Sequence, residues 1–160
     1  RITPAFELEL REVAGADHHD ALFHHKRSST ARVMSAVPLV PPKVARVQLP
    51  KEGSAAMIAQ QLAGDGVAVV AAFHNVAADS LHTDEELDCD VLVFGDDVEA
   101  RKTVVALVNE MGLRGLAGGA LANSAAAEAL TSILIYMNKN YAADGAGIRF
   151  TNLTAAPPIP

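Results

Sequence analysis

The hydrophobic and polar positions of this 160-residue chain fall into two regimes. From Val67 to Phe73 seven apolar residues run without a break, and they stop at His74 and Asn75. An uninterrupted short run of small and β-branched residues predicts a strand buried on both faces, as in a largely parallel sheet. A second run, Asp90-Val91-Leu92-Val93-Phe94, predicts another strand of this kind, ending in a turn at Gly95-Asp96-Asp97. Shorter strands are predicted around residues 32–37, 114–117 and 145–151. Helical spacing predicts three helices. In the first, residues 55–62, Ser54 is the cap, Gly64 the stop, and Ala55, Ile58 and Leu62 share one face. The second, residues 98–111, buries Ala100, Val104, Leu107, Val108 and Met111 and stops at Gly112. The third, residues 125–138, is apolar almost all round, with a thin polar stripe at Glu128, Thr131 and Ser132. A helix of that kind is covered on most sides, in the core or at a contact between copies of the chain.

Before residue 35 the apolar positions follow neither period, so residues 1–34 are expected to be atypical and partly disordered. Residues 35–153 then form the ordered body, and residues 154–160 are expected to be a disordered tail. Strands alternating with helices give an α/β class, an open sheet wound on both sides with a small carboxyl-terminal α/β region. Between strand and helix, Val37-Pro38-Leu39-Val40-Pro41-Pro42-Lys43 is a stiff, extended loop because proline fixes φ and removes a donor. Residues 82–88, rich in acid, read as a solvated linker.

Half of the residues are hydrophobic, enough for one domain, and the formal charge is −6 with a pI near 5.4. Such a charge offers no basic field for nucleic acid or an anionic membrane. The single Cys89 cannot form an internal disulfide, and no signal-like segment precedes the body, which favours a reducing cytoplasm. No apolar run approaches the length of a membrane-spanning helix. The first residue is Arg1, which points to a missing amino end. His18, His19, His24 and His25 form two pairs, but no cysteine or spaced carboxylate completes a metal site, so a solvated segment is the better reading and no metal is expected. Ser-His-Asp order, paired carboxylates, CxxC, HExxH, the P-loop and GxGxxG are all absent in usable context, so no catalytic side chain is assigned. The turn after residue 94 does not suit a phosphate, because Asp96 and Asp97 already oppose the partial positive charge of the following helix. What remains is the end of the first buried strand. His74 and Asn75 there supply a switchable ring and an amide with donors and acceptors, and Val76, Ala77 and Ala78 leave room for a flat ring. The competing reading is a histidine that caps a buried strand and meets no ligand.

The order of several short segments adds to this. Val37-Pro38-Leu39-Val40-Pro41-Pro42, Gly53-Ser54-Ala55-Ala56, Ala72-Phe73-His74-Asn75-Val76, Cys89-Asp90-Val91-Leu92-Val93 with Gly95-Asp96-Asp97, Asn123-Ser124 with Glu128-Ala129-Leu130-Thr131, and Gly145-Ala146-Gly147-Ile148-Arg149 follow one another. Together, over residues 35–152, they resemble NADPH-dependent F420 reductase, an F420:NADP oxidoreductase. The resemblance implies a Rossmann-like domain and a smaller carboxyl-terminal one, with the cofactors coenzyme F420 and NADP stacked between them. It implies that Val40, Pro41 and Pro42 line the cleft, that His74, Asn75 and Val76 meet the deazaflavin, that Ala78 approaches the nicotinamide, and that Ala146 closes on the deazaflavin from the other side. It also implies a homodimer or higher homo-oligomer, in keeping with the apolar third helix.

The resemblance stops at residue 34, where the family places its strand, GxGxxG turn and helix and its grip on the 2′-phosphate of NADP. Hydride transfer between two carbon centres needs rings held together and water excluded, not a nucleophile, so sparse polar chemistry is compatible with it. For this reading the imidazole of His74 must be reachable from a groove. Two other readings are an inactive fragment that only oligomerises or binds deazaflavin, and another NADP-dependent reductase related to pyrroline-5-carboxylate reductase.

Overall fold

The computed structural model describes residues 30–77, 81 and 87–153. The four histidines at positions 18–25, Ala78, most of the acidic linker and the tail lie outside them. Among the described residues the order of elements is β1 (Thr30–Met34), α1 (Ala55–Ala63), β2 (Val67–Ala71), β3 (Asp90–Phe94), α2 (Val98–Glu110), β4 (Arg114–Gly119) and α3 (Ser124–Tyr141). A single turn of 3-10 helix, Leu121–Asn123, leads into α3.

The strands form one sheet in the order β1-β2-β3-β4. β1 is parallel to β2 along five residues, and β3 is parallel to β4. Between the pairs, β2 meets β3 antiparallel at Ala71 and Phe94. The sheet is therefore mixed in direction. Residue periodicity marks a buried strand but says nothing of its direction. β1 also begins earlier than the predicted residues 32–37, inside the segment expected to be atypical.

Alternate residues of β2 face two cores, as its unbroken apolar run predicts. Val70, Val91 and Val93 pack against Ala100, Val104, Val105 and Val108 of α2. On the other face, Val69, Ala71 and Phe94 pack with Ala56 of α1, Leu121 and Ala127 of α3. The sheet thus lies between α2 and the pair α1 and α3. The buried face of α1 is rotated from the predicted one, whereas α2 buries Ala100, Val104 and Val108 as predicted and differs at its edges. Leu62 is 84% exposed and Met111 50% exposed, whereas Ala56, Arg101 and Val105 are buried. The arginine is retained inside because its guanidinium donates to the Gly95 carbonyl.

The third helix also departs from expectation. It is long, but it is not apolar all round: Ser124, Glu128 and Ser132 are buried, while Ile133, Tyr136, Met137 and Tyr141 are exposed. Of the polar stripe, Glu128 and Ser132 face inward. The Glu128 carboxylate accepts from the Ala55 and Ala56 N–H groups at 2.7 and 3.1 Å, occupying the amino end of α1. Ser124 Oγ donates to Ser54 Oγ, which itself accepts from Met57 N. Burial raises the pKa of Glu128, and the two N–H donors work against that rise. Residues 145–151 do not form the predicted strand; they run extended and are tied to β3 by Asp90 N donating to the Ile148 carbonyl at 2.8 Å. Among the described residues no helix is long and apolar enough to cross a membrane, and no group of three acidic, histidine or cysteine side chains is placed to hold a metal.

Candidate functional site

Because β2 and β3 run in opposite directions, the carboxyl ends of β1 and β2 share an edge of the sheet with the amino end of β3. The polar residues gather there. The chain leaves β2 through Phe73, whose φ of 65° is unusual for a side chain of that size, and turns through His74 and Asn75. Ala72 N donates to the Met34 carbonyl at 3.0 Å, so the chain carrying the Pro-rich loop departs from the strand next to this turn. Asn75 Nδ2 donates to the Asp90 carbonyl at 2.5 Å and so joins the turn to the start of β3.

Asp90 is the hub of the edge. Its side chain is fully buried and accepts from Arg114 Nε and Nη2 at 2.5 and 2.6 Å and from Phe150 N at 2.6 Å. Burial alone would raise its pKa, but the Arg114 guanidinium and the Phe150 N–H together hold the carboxyl below its ordinary value. Through Asp90 the His74 turn and residues 146–150 are fixed to one another. α3 braces both from behind: Thr131 Oγ1 donates to the His74 carbonyl at 2.7 Å, and Asn138 Oδ1 accepts from Ala146 N at 2.7 Å.

The imidazole of His74 is 4% exposed, and both of its ring nitrogens lack a hydrogen-bond partner among the described residues. Desolvation lowers its pKa to about 4, so it is neutral at pH 7. The described residues thus do not meet the condition that a groove reach His74, since the ring is covered. It is equally unlike a histidine satisfied by the core, because a neutral imidazole carries one donor and one acceptor and leaving both unmet costs free energy. Beside it Asn75 is 1% exposed, and its Oδ1 is also unpaired. Three buried polar atoms on these two residues have no hydrogen-bond partner among the described residues.

The remaining sequence candidates fall into place unevenly. Val76 is half-buried beside the turn, and its N–H donates to the Phe73 carbonyl. Ala146 is half-buried and joined to the same edge through α3 and Asp90. Val40, Pro41 and Pro42 form an exposed loop with a cis Pro41-Pro42 peptide, held by Gln48 Nε2 donating to the Val40 and Lys43 carbonyls. Ala78 lies outside the described residues. Asp90, Thr131 and Asn138 were not singled out by the sequence, since each acts on a partner distant in the chain or on a backbone group. A separate apolar groove of ≈ 620 Å³ runs between β3, β4 and the start of α3, past Leu92, Leu116, Ala126 and Phe150, and contains none of the predicted residues.

At the amino ends of α1 and α2 a phosphate would meet a carboxylate already in place. The first N–H groups of α1 are taken by Glu128, and those of α2 by Asp97, whose Oδ1 accepts from Ala100 N at 2.8 Å. Among the described residues, His74 and Asn75 offer unpaired polar groups but are covered, and the amino ends of α1 and α2 carry carboxylates that disfavour a phosphate.

No protein-family model matches the chain. Individual proteins do. It is 42% identical over 113 residues to the F420-dependent NADP reductase of Methanocaldococcus jannaschii, a stretch covering 69% of this chain and 50% of that protein. It is 39% identical over 105 residues to the F420-dependent NADP reductase of Methanothermobacter thermautotrophicus, covering 64% and 45%. The fold is similar to a crystal structure from Arthrobacter sp. FB24 provisionally assigned as an F420-dependent NADP reductase, with a TM-score of 0.60 and 21% identity over 71% of this chain and 54% of that one. The chain is thus a homologue of the F420-dependent NADP reductases, spanning about half the length of the curated relatives it matches.

Proposed function

We propose that this chain carries the deazaflavin-facing part of an oxidoreductase that moves hydride between NADP(H) and coenzyme F420. The observation that carries the reading is the 42% identity over 113 residues to an F420-dependent NADP reductase, a stretch that includes the turn at His74 and Asn75. F420, when bound, supplies the carbon centre that exchanges hydride. The role of the chain is then to hold a flat ring, exclude water and present His74 as a neutral hydrogen-bonding partner; no side chain need act as nucleophile or obligatory base. Since the amino ends of α1 and α2 are occupied by carboxylates, the grip on the phosphates of NADP is assigned to residues beyond those described.

The reading extends to assembly and compartment. Ile133, Tyr136, Met137 and Tyr141 give α3 an exposed apolar strip that suits a homodimer, and a single free cysteine, Cys89, suits a reducing cytoplasm.

Absorbance titration with F420 tests the proposal. The parent chain is expected to bind F420, and His74→Ala to bind it about tenfold more weakly, a loss near 1.4 kcal/mol. NADPH added to the mixture is expected to bleach the oxidised deazaflavin. No binding of F420 overturns the reading, and binding without bleaching reduces it to a deazaflavin-binding module.

A further inference from the structure

We propose that Asn138 is a positioning residue for deazaflavin binding, acting through the loop that carries Ala146. This inference rests on the function proposed above. α3 touches the candidate edge at two points, Thr131 on the His74 carbonyl and Asn138 on Ala146 N, both at 2.7 Å. Seven residues separate them, two helical turns or about 10 Å along the axis, so both project from one face of a rigid element. One helix therefore sets the spacing between the two segments assigned to the deazaflavin.

The loop needs such an anchor. Ala146 lies between two glycines, and Gly145 holds a φ of 81°, so its backbone has little preference of its own for one shape. Gly147 sits so close to Cys89 that a β-carbon there would come within 2.5 Å of the Cys89 Cβ, which presses the loop flat against the start of β3. Ile148 is held by Asp90 N. Between these fixed points Ala146 has one partner for its N–H among the described residues, the Asn138 side-chain oxygen. Removing that acceptor frees the loop to rotate away while the helix and sheet stay intact, because Asn138 is half-buried and belongs to neither core cluster.

The test compares F420 titrations and thermal unfolding of the full chain with Asn138→Leu and Asn138→Asp. Leucine offers no acceptor, and it is expected to weaken F420 binding about tenfold while leaving the unfolding midpoint within about 2 °C. Aspartate keeps an acceptor of the same reach and is expected to bind within about threefold of the parent. Rescue by aspartate but not leucine, at unchanged stability, is the signature of positioning. If Asn138→Leu does not fold, Asn138→Ser, whose hydroxyl is too short to reach Ala146 N, takes its place with the same expectation. Equal F420 affinity in the parent and the variant lacking the acceptor overturns the inference and leaves the proposed function standing. Failure of the parent itself to bind F420 overturns both.

Discussion

His74 combines an unusual backbone entry, a covered ring and two unmet nitrogens. Its proton affinity carries a stability consequence whatever the ligand. The folded-state pKa is pushed down to about 4 by desolvation, while the unfolded chain has the ordinary value of 6.5. Between these values the unfolded state binds more protons, so stability is full above pH 6.5 and is lost as pH falls toward 4. The loss approaches about 3 kcal/mol once both states are protonated. Urea unfolding at pH 7 and pH 4.5 is expected to show this fall, and His74→Leu to remove most of it. A parent and variant with the same pH dependence between 4 and 7 would show that the ring is not desolvated. The position of this histidine, at the end of an apolar run, was legible in the sequence. Its burial was not, since that is set by the tertiary surroundings of the turn, which include a bond from Thr131, 57 residues further along, to the His74 carbonyl.

At the scale of elements, α3 illustrates why polarity is an incomplete guide to which face turns inward. Its Glu128 and Ser132 form part of the polar stripe, yet both are buried, Glu128 because the amino end of α1 needs an acceptor and presents it with two N–H groups. No local periodicity encodes a cap supplied by another helix 72 residues away. Glu128→Gln keeps the shape but turns an amide nitrogen toward one of those donors. The variant is expected to lose about 2 kcal/mol of unfolding free energy, measured by chemical denaturation, and Glu128→Leu to lose at least as much. A Glu128→Gln protein as stable as its parent would show that the carboxylate is not what holds α1 and α3 together. The helix and strand limits themselves were largely readable: α1, α2, β2 and β3 fall close to the residues that periodicity and turn signals indicate. The terminal strand was not, because glycine-led sequence permits an extended chain without requiring a ladder partner.

For the whole molecule, the class of fold was legible and the direction of its strands was not. Two parallel pairs joined by one antiparallel contact bring the end of β2 to the start of β3, and this is what lets Asp90 join the His74 turn to Ala146. Assembly belongs to the same scale. If the exposed strip of α3 is the contact between copies, Ile133→Glu with Met137→Glu is expected to turn a dimer into a monomer by light scattering while leaving the circular dichroism unchanged. A parent that is monomeric at tens of micromolar (~50 µM) would remove the dimer from the proposal. The carboxylates seated on α1 and α2 have a practical corollary for redesign. Anyone wishing to make these residues hold a nucleotide tail cannot borrow either helix for the purpose: stripping out Glu128 or Asp97 would loosen the scaffold before it gained any attraction for an anion. New amide or guanidinium donors would have to be imported on added chain.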